Sequence, residues 1–264
     1  MSQVLIPRPA ATVLALRDDL QGFQVLMLRR NLNSDFVGGA HVFPGGGVDA
    51  SDGDASIQRL TFGANERETS LRLGVGSGGL AYFVAGLREL FEEAGLLIAC
   101  RAGGELVDLS DAATVQRLAN HRRKLNNGEL GFAEMLEREE LVLDLRGLAY
   151  LAHWVTPVGP PRRYDTRFFV AMAPSDQTAA HDAGETIEDQ WLRPVDALAA
   201  YERGDFDMIF PTIRTLQSVA HLATARDVLE YANSLISITR TEPRLVMRGA
   251  NPIILLLGDP GYDD

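Results

Sequence analysis

Residues 87–96 read Leu-Arg-Glu-Leu-Phe-Glu-Glu-Ala-Gly-Leu, and they crowd one arginine and three glutamates into a short span. At 3.6 residues per turn, Leu80, Phe83, Val84, Leu87, Leu90, Phe91 and Ala94 make an apolar stripe, and Arg88, Glu89, Glu92 and Glu93 fall outside it. Glu89 is three residues from Glu92 and four from Glu93, so the carboxylates are surface neighbours that repel, while Arg88 reaches Glu92 at i+4. Gly95 stands where a helix C-terminus favours a left-handed residue. Two readings fit: a solvated, salt-bridged face, or a site for a hard divalent cation that offsets the repulsion.

Upstream, Phe43-Pro44-Gly45-Gly46-Gly47 follows a short apolar segment. Three glycines make a tight turn, or they bring bare backbone up to a metal or a phosphate. Each segment is weak evidence by itself; their order is informative. Taken together they resemble the Nudix hydrolase family, whose signature is a glycine-led loop followed by a helix reading Arg-Glu-apolar-x-Glu-Glu-x-Gly-apolar. Residues 88–96 match every fixed position of that helical half. The departure is spacing: residues 47–87 separate Gly46 from Arg88, more than the family pattern allows, and the surplus is a Gly-rich stretch. The loop's usual glutamate has no assigned counterpart, with Asp49 standing nearest. Loop closure costs grow only logarithmically with length, so the two halves can still meet.

A signature split in this way is similar to the branch that cleaves coenzyme A and acyl-CoA. Residues 26–30 (Leu-Met-Leu-Arg-Arg) and 163–169 (Arg-Tyr-Asp-Thr-Arg-Phe-Phe) add to that likeness. The resemblance implies metal-dependent hydrolysis of a diphosphate bridge in a nucleoside diphosphate derivative, with Mg²⁺ or Mn²⁺ as cofactor. It implies Glu92 and Glu93 as ligands, Glu89 as a ligand or a water-orienting group, Arg88 as the partner that holds a glutamate, and the Gly46 carbonyl as a further ligand. Glu89, Arg88 and Glu93 form the expected catalytic set. An additional acid is expected at Glu185 or Glu188, where an exposed acidic turn is the competing reading. Arg29, Arg30, Arg162 and Arg163 are candidate phosphate contacts and Tyr164 a candidate stacking residue, so Arg29, Arg30, Arg163 and Tyr164 make the expected substrate set. For any one of these arginines, plain surface solubility is the alternative. Trp154 is a second candidate for stacking on a base, with core packing the favoured reading, and His153 reads as a packed residue. NADH, ADP-ribose or nucleotide-sugar hydrolysis and a non-catalytic nucleotide-binding module stay open beside the CoA reading.

Positioning these groups needs a scaffold. Residues 11–16 and 23–28 read as a hairpin, and 148–155, 167–173 and 187–192 as later strands. Residues 50–79 read as a polar surface insertion with one short helix, 101–140 as largely helical, 195–203 and 211–234 as helices broken near Ala223, and 245–257 as a last strand or two. The expected fold is α/β (α+β), a mixed sheet sandwiched between helices, as one domain over 1–264 with an insertion at 50–79 and helical additions at 101–140 and 194–235.

The 264 residues carry a formal net charge of −11 and a pI near 4.9, which argues against nucleic acid or an anionic membrane as partner. An anionic substrate then needs local help from a metal or arginines. The single cysteine, Cys100, lies in an apolar run, so it reads as a buried thiol in a reducing setting. Nothing reaches membrane-span length, and Met1-Ser2-Gln3-Val4 begins no signal peptide. The expected setting is cytoplasmic, the expected partner a small nucleoside diphosphate derivative, and a homodimer is left open.

Overall fold

Along the first strand, Ala11, Val13 and Ala15 face one apolar core while Leu14 and Leu16 face another. A strand that is apolar on both sides has to be covered on both sides. A computed structural model describes residues 5–32, 38–248 and 251–262, with 251 and 252 described as backbone alone. Met1–Val4, on which the signal-peptide reading rests, lie outside them.

Strands β1 (Arg8–Asp19) and β2 (Gly22–Arg30) form the expected antiparallel hairpin. Short strands β3 (His41–Val42) and β4 (Gly45–Gly47) pair with β2 and β1 respectively. A 3₁₀ turn (Ala50–Gly53), α1 (Ala55–Gln58), β5 (Thr61–Phe62) and α2 (Glu66–Leu73) lead to the carboxylate helix α3 (Gly79–Ala94). After β6 (Ala99–Cys100) come α4 (Ala112–Asn126), α5 (Phe132–Arg138) and β7 (Val142–Asp144). Then follow β8 (Ala149–Val155), β9 (Tyr164–Met172) and β10 (Thr186–Leu192). Helices α6 (Pro194–Arg203), α7 (Phe210–Val219) and α8 (Ala225–Ser234) precede β11 (Arg240–Thr241) and a hairpin of β12 (Arg244–Arg248) and β13 (Asn251–Leu255).

The main sheet runs β10-β2-β1-β9-β8-β11, with β3 and β4 attached. It is mixed: β1 and β9 run parallel, whereas β8 and β9 run antiparallel. Helix α3 covers the face carrying Val13 and Phe169, and α6, α7 and α8 cover the face carrying Leu14 and Val170. The expected sheet between helices is therefore present. Among the described residues, no helix is long and apolar enough to cross a membrane.

Residues 50–79 differ from the expected polar loop. Ile57 and Leu73 enter the core, and Asp52, Thr69 and Ser70 are buried. The polar side chains that suggested solvent instead satisfy backbone at helix ends. The Asn65 side chain caps α2 by accepting from the Glu68 amide. Glu66 accepts from the amides of Gly78 and Leu80 and from the Ser70 hydroxyl, clasping α2 to the start of α3.

Candidate active site

Helix α3 buries its apolar stripe as the spacing predicts, and it stops at Gly95, whose φ of 72° lies in the left-handed region. Its polar face is not solvated. Arg88 and Glu93 are each only 5% exposed, because β4 and the 3₁₀ turn lie across them.

The three glycines of β4 each meet one member of the helical cluster. The Gly45 amide donates to Glu93 Oε2 at 2.9 Å. A Cβ at Gly46 would fall 2.5 Å from Glu89 Oε1, so no side chain fits between strand and carboxylate. The Gly47 carbonyl accepts from Arg88 Nη2 at 2.8 Å. Glycine is required at Gly46 because backbone and carboxylate approach so closely, and at Gly45 because a Cβ would run into Thr12 and the Ala11 carbonyl of β1, whereas a Cβ at Gly47 would meet nothing within 4 Å.

Arg88 is the hub of the cluster. Its Nη1 donates to Glu89 Oε1 at 2.9 Å and to Glu92 Oε2 at 2.8 Å, the i+4 contact read from the spacing. Its Nε and Nη2 clamp Asp52 through two bonds of 2.9 and 3.0 Å. Asp52, 2% exposed, is the residue that sequence reasoning overlooked; Asp49 is the exposed one, 3.8 Å from Arg88. A signal was available, since Asp52 follows the glycines before the extra length begins. Burial alone would lower the Arg88 pKa, but Asp52, Glu89 and Glu92 outweigh it and hold the guanidinium charged.

One guanidinium cannot neutralise all these carboxylates. Burial, with repulsion from Glu92 and Glu185, pushes Glu89 up to about 7 despite Arg88 beside it. Burial and the charge of Glu89 raise Glu93 well above the usual carboxylate range, against the Gly45 amide. Glu92 is raised mainly by burial. Desolvated, mutually repelling oxygen donors match what a hard divalent cation takes, so the residues fit such an ion chemically. Among the described residues, no three acidic, histidine or cysteine side chains already converge on one coordination point.

Glu89 and the three glycines form one wall of a cleft of about 740 Å³. Arg30, Arg162, Tyr164 and Glu185 also line it. Arg30 Nε is buried without a hydrogen-bond partner among the described residues. The two acid candidates separate: Glu185 faces the cleft and raises both Glu89 and Glu93, whereas Glu188 lies 3.7 Å from Arg29 across the β2–β10 pairing.

Arg163 is not where the expected phosphate contact would be. It is 6% exposed, and it donates to the carbonyls of Leu5 and Thr156 and to the carboxylate of Glu242. At the end of the turn before β9 it is held away from the cleft that its neighbours Arg162 and Tyr164 line. His153 is packed as expected: burial, with Arg167 and Arg240, lowers its pKa to about 3, and its Nε2 lies 2.7 Å from Asp165. Trp154 edges the cleft while its Nε1 donates to Thr215 Oγ1 at 3.2 Å. Cys100 is buried, in keeping with its sequence context.

Comparison with known proteins agrees with this geometry. The profile of the NUDT19 Nudix domain matches residues 53–219. Acyl-coenzyme A diphosphatase NUDT19 of Xenopus laevis is 24% identical over 281 residues, spanning 94% of this chain and 73% of the relative. The Homo sapiens protein of the same name is also 24% identical, over 92% and 73% of the two chains. A NUDIX hydrolase from Alicyclobacillus acidocaldarius superposes with a TM-score of 0.71 at 27% identity, covering 89% of this chain and 98% of that one.

Proposed function

The chain belongs to the Nudix hydrolase family, in its CoA diphosphatase branch, and is a diphosphate-hydrolysing enzyme; from that premise we propose that it cleaves the diphosphate bridge of coenzyme A and acyl-CoA. The observation that carries the chemistry is the interlock of β4 with α3, which sets Glu89 in the wall of a cleft also lined by Arg30 and Glu185, with Glu93 held behind it by the Gly45 amide. The substrate choice is supported by relatives named as acyl-coenzyme A diphosphatases.

Nudix hydrolases generally use divalent metals, and we assign Mg²⁺ or Mn²⁺ to Glu89, Glu92, Glu93 and the Gly46 carbonyl. Such an ion supplies charge neutralisation at the diphosphate and a more acidic water. The protein's own groups do the remaining work. The Gly45 amide holds one oxygen of Glu93 and leaves the other free for a ligand. Glu89, in the cleft wall and held toward the protonated form by burial when no cation is bound, is the group placed to orient the attacking water or take its proton. Arg88 orients Glu89 and Glu92, and Asp52 fixes Arg88. The open Nε of Arg30 donates to a phosphate oxygen, and Glu185 is the acid contributed from a later loop. Water adds to one phosphorus and the bridging oxygen leaves with the other, giving two phosphomonoesters. The substrate is a small molecule rather than nucleic acid, consistent with the charge of −11. A single domain and a cytoplasmic setting belong to the same reading.

The test is turnover with Mg²⁺ or Mn²⁺ of CoA, acyl-CoA, NADH, ADP-ribose and nucleotide sugars by the native protein and Glu93→Gln. CoA-type turnover, lost on chelation and in the variant, is expected. Cleavage of another member of the panel with none of CoA overturns the substrate assignment. Metal-independent cleavage overturns the mechanism.

A further inference from the structure

The catalytic wall accounts for only one side of the cleft. The strand order β4-β1-β9-β8 separates the glycines from Trp154 by three strand spacings, about 14 Å. At that remove the ring of Phe210 meets Trp154 edge-on at 5.8 Å, β11 runs beside Trp154, and Pro243, Leu245 and Ile254, which follow β11, also line the cleft. Leu245 and Ile254 are cross-strand partners in the β12–β13 hairpin, so their side chains share one face. They are 45% and 39% exposed, large apolar groups left without full cover in a cleft.

The hairpin is a sheet of its own and does not extend the main sheet. It is tied down beside β9, where Glu242 receives Arg163 and the Glu242 carbonyl accepts from the Tyr262 hydroxyl at 2.7 Å. Resting on the CoA reading above, we infer that the Leu245–Ile254 pair selects the apolar tail of the substrate. A diphosphate held at β4 sends the flexible pantetheine arm across β1 and β9, and an acyl chain on its thiol end then meets the hairpin. Free CoA has no such group to place there.

The experiment compares kcat/KM for free CoA, a short-chain and a long-chain acyl-CoA in the native protein, Leu245→Ser, Ile254→Ser and Leu245→Trp. In the serine variants the long-chain value is expected to fall about tenfold while free CoA stays within about twofold. Leu245→Trp, which adds bulk, should shift the preference toward the short chain. Equal losses on all three substrates, as when the wall holds the nucleobase instead, overturn the inference, as does an unchanged long-chain to free-CoA ratio. If the native protein cleaves no CoA at all, it is the underlying substrate reading that has failed.

Discussion

Two buried arginines flank the cleft, and their differences are instructive. Arg88 and Arg163 are almost equally inaccessible, at 5% and 6%. Arg88 is hydrogen-bonded to three carboxylates and one carbonyl, with Asp49 a fourth carboxylate at 3.8 Å, whereas Arg163 is hydrogen-bonded to two carbonyls and one carboxylate. The first set is over-supplied with negative charge, so it has capacity for a second cation. The second set is close to balanced, so it serves to tie segments together. Partners, rather than residue type or burial, separate an arginine that organises chemistry from one that anchors a hairpin.

The sharpest way to break this contrast is to remove the surplus charge. Glu93→Gln should lower kcat on the order of 10²- to 10⁴-fold, with the melting temperature of the cation-free protein maintained. A folded variant that keeps native kcat would remove Glu93 from the site. Next, Arg88→Ala strands Asp52 in the interior and should cost about 3–5 kcal/mol in denaturant unfolding. A loss under one kcal/mol would mean that the Arg88 hub is a surface-like pair. Asp52→Asn keeps the shape but weakens the clamp, so activity should drop about 10- to 100-fold with KM little changed, as for groups that orient metal ligands. A change confined to KM would place Asp52 on the substrate instead.

Arg163→Ala should behave differently. Loss of its charged hydrogen bonds should cost about 1.5–3 kcal/mol, while kcat on free CoA stays within about twofold. A large fall in kcat would restore Arg163 to the phosphate site.

The smallest effect is a pH-dependent one. Because Glu89 is raised to about 7 in the fold, the folded state holds its proton after the unfolded chain has released it. Stability from this group is present below the ordinary glutamate pKa and is lost as pH rises through about 7. Mg²⁺ should therefore raise the melting temperature more at about pH 8 than at about pH 5.5. The reverse order would contradict the carboxylate cation site.

Much of α3 was legible in the sequence because local rules decide it. The apolar stripe, the i+4 contact from Arg88 to Glu92 and the left-handed Gly95 all follow from helix geometry. The glycine strand was legible only as an association with that helix; which glycine meets which side chain depends on the tertiary approach of β4. Asp52 is hard to find from the helix because the added length lies between it and Arg88, which leaves the two 36 positions apart. Arg163 could not be told from Arg162 and Tyr164 in the sequence, because which of the three faces the cleft depends on the path of the chain reversal into β9 and on partners as distant as Leu5 and Glu242. Residues 50–79 looked like loop because capping side chains and solvated ones have the same composition.

The two carboxylate clasps at the ends of that insertion have a further consequence. Asp52 closes on Arg88 across 36 positions, and Glu66 closes on Gly78 and Leu80 across 12 and 14. Between the second pair, Gly74 and Gly76 face open space on their Cβ side. The distance along the chain from loop to helix is thereby uncoupled from the distance in space. Peptide grafted at Gly76 would enlarge the outer turn and leave the catalytic geometry unaltered, which makes this position a natural entry point for tags, reporters or a regulatory domain.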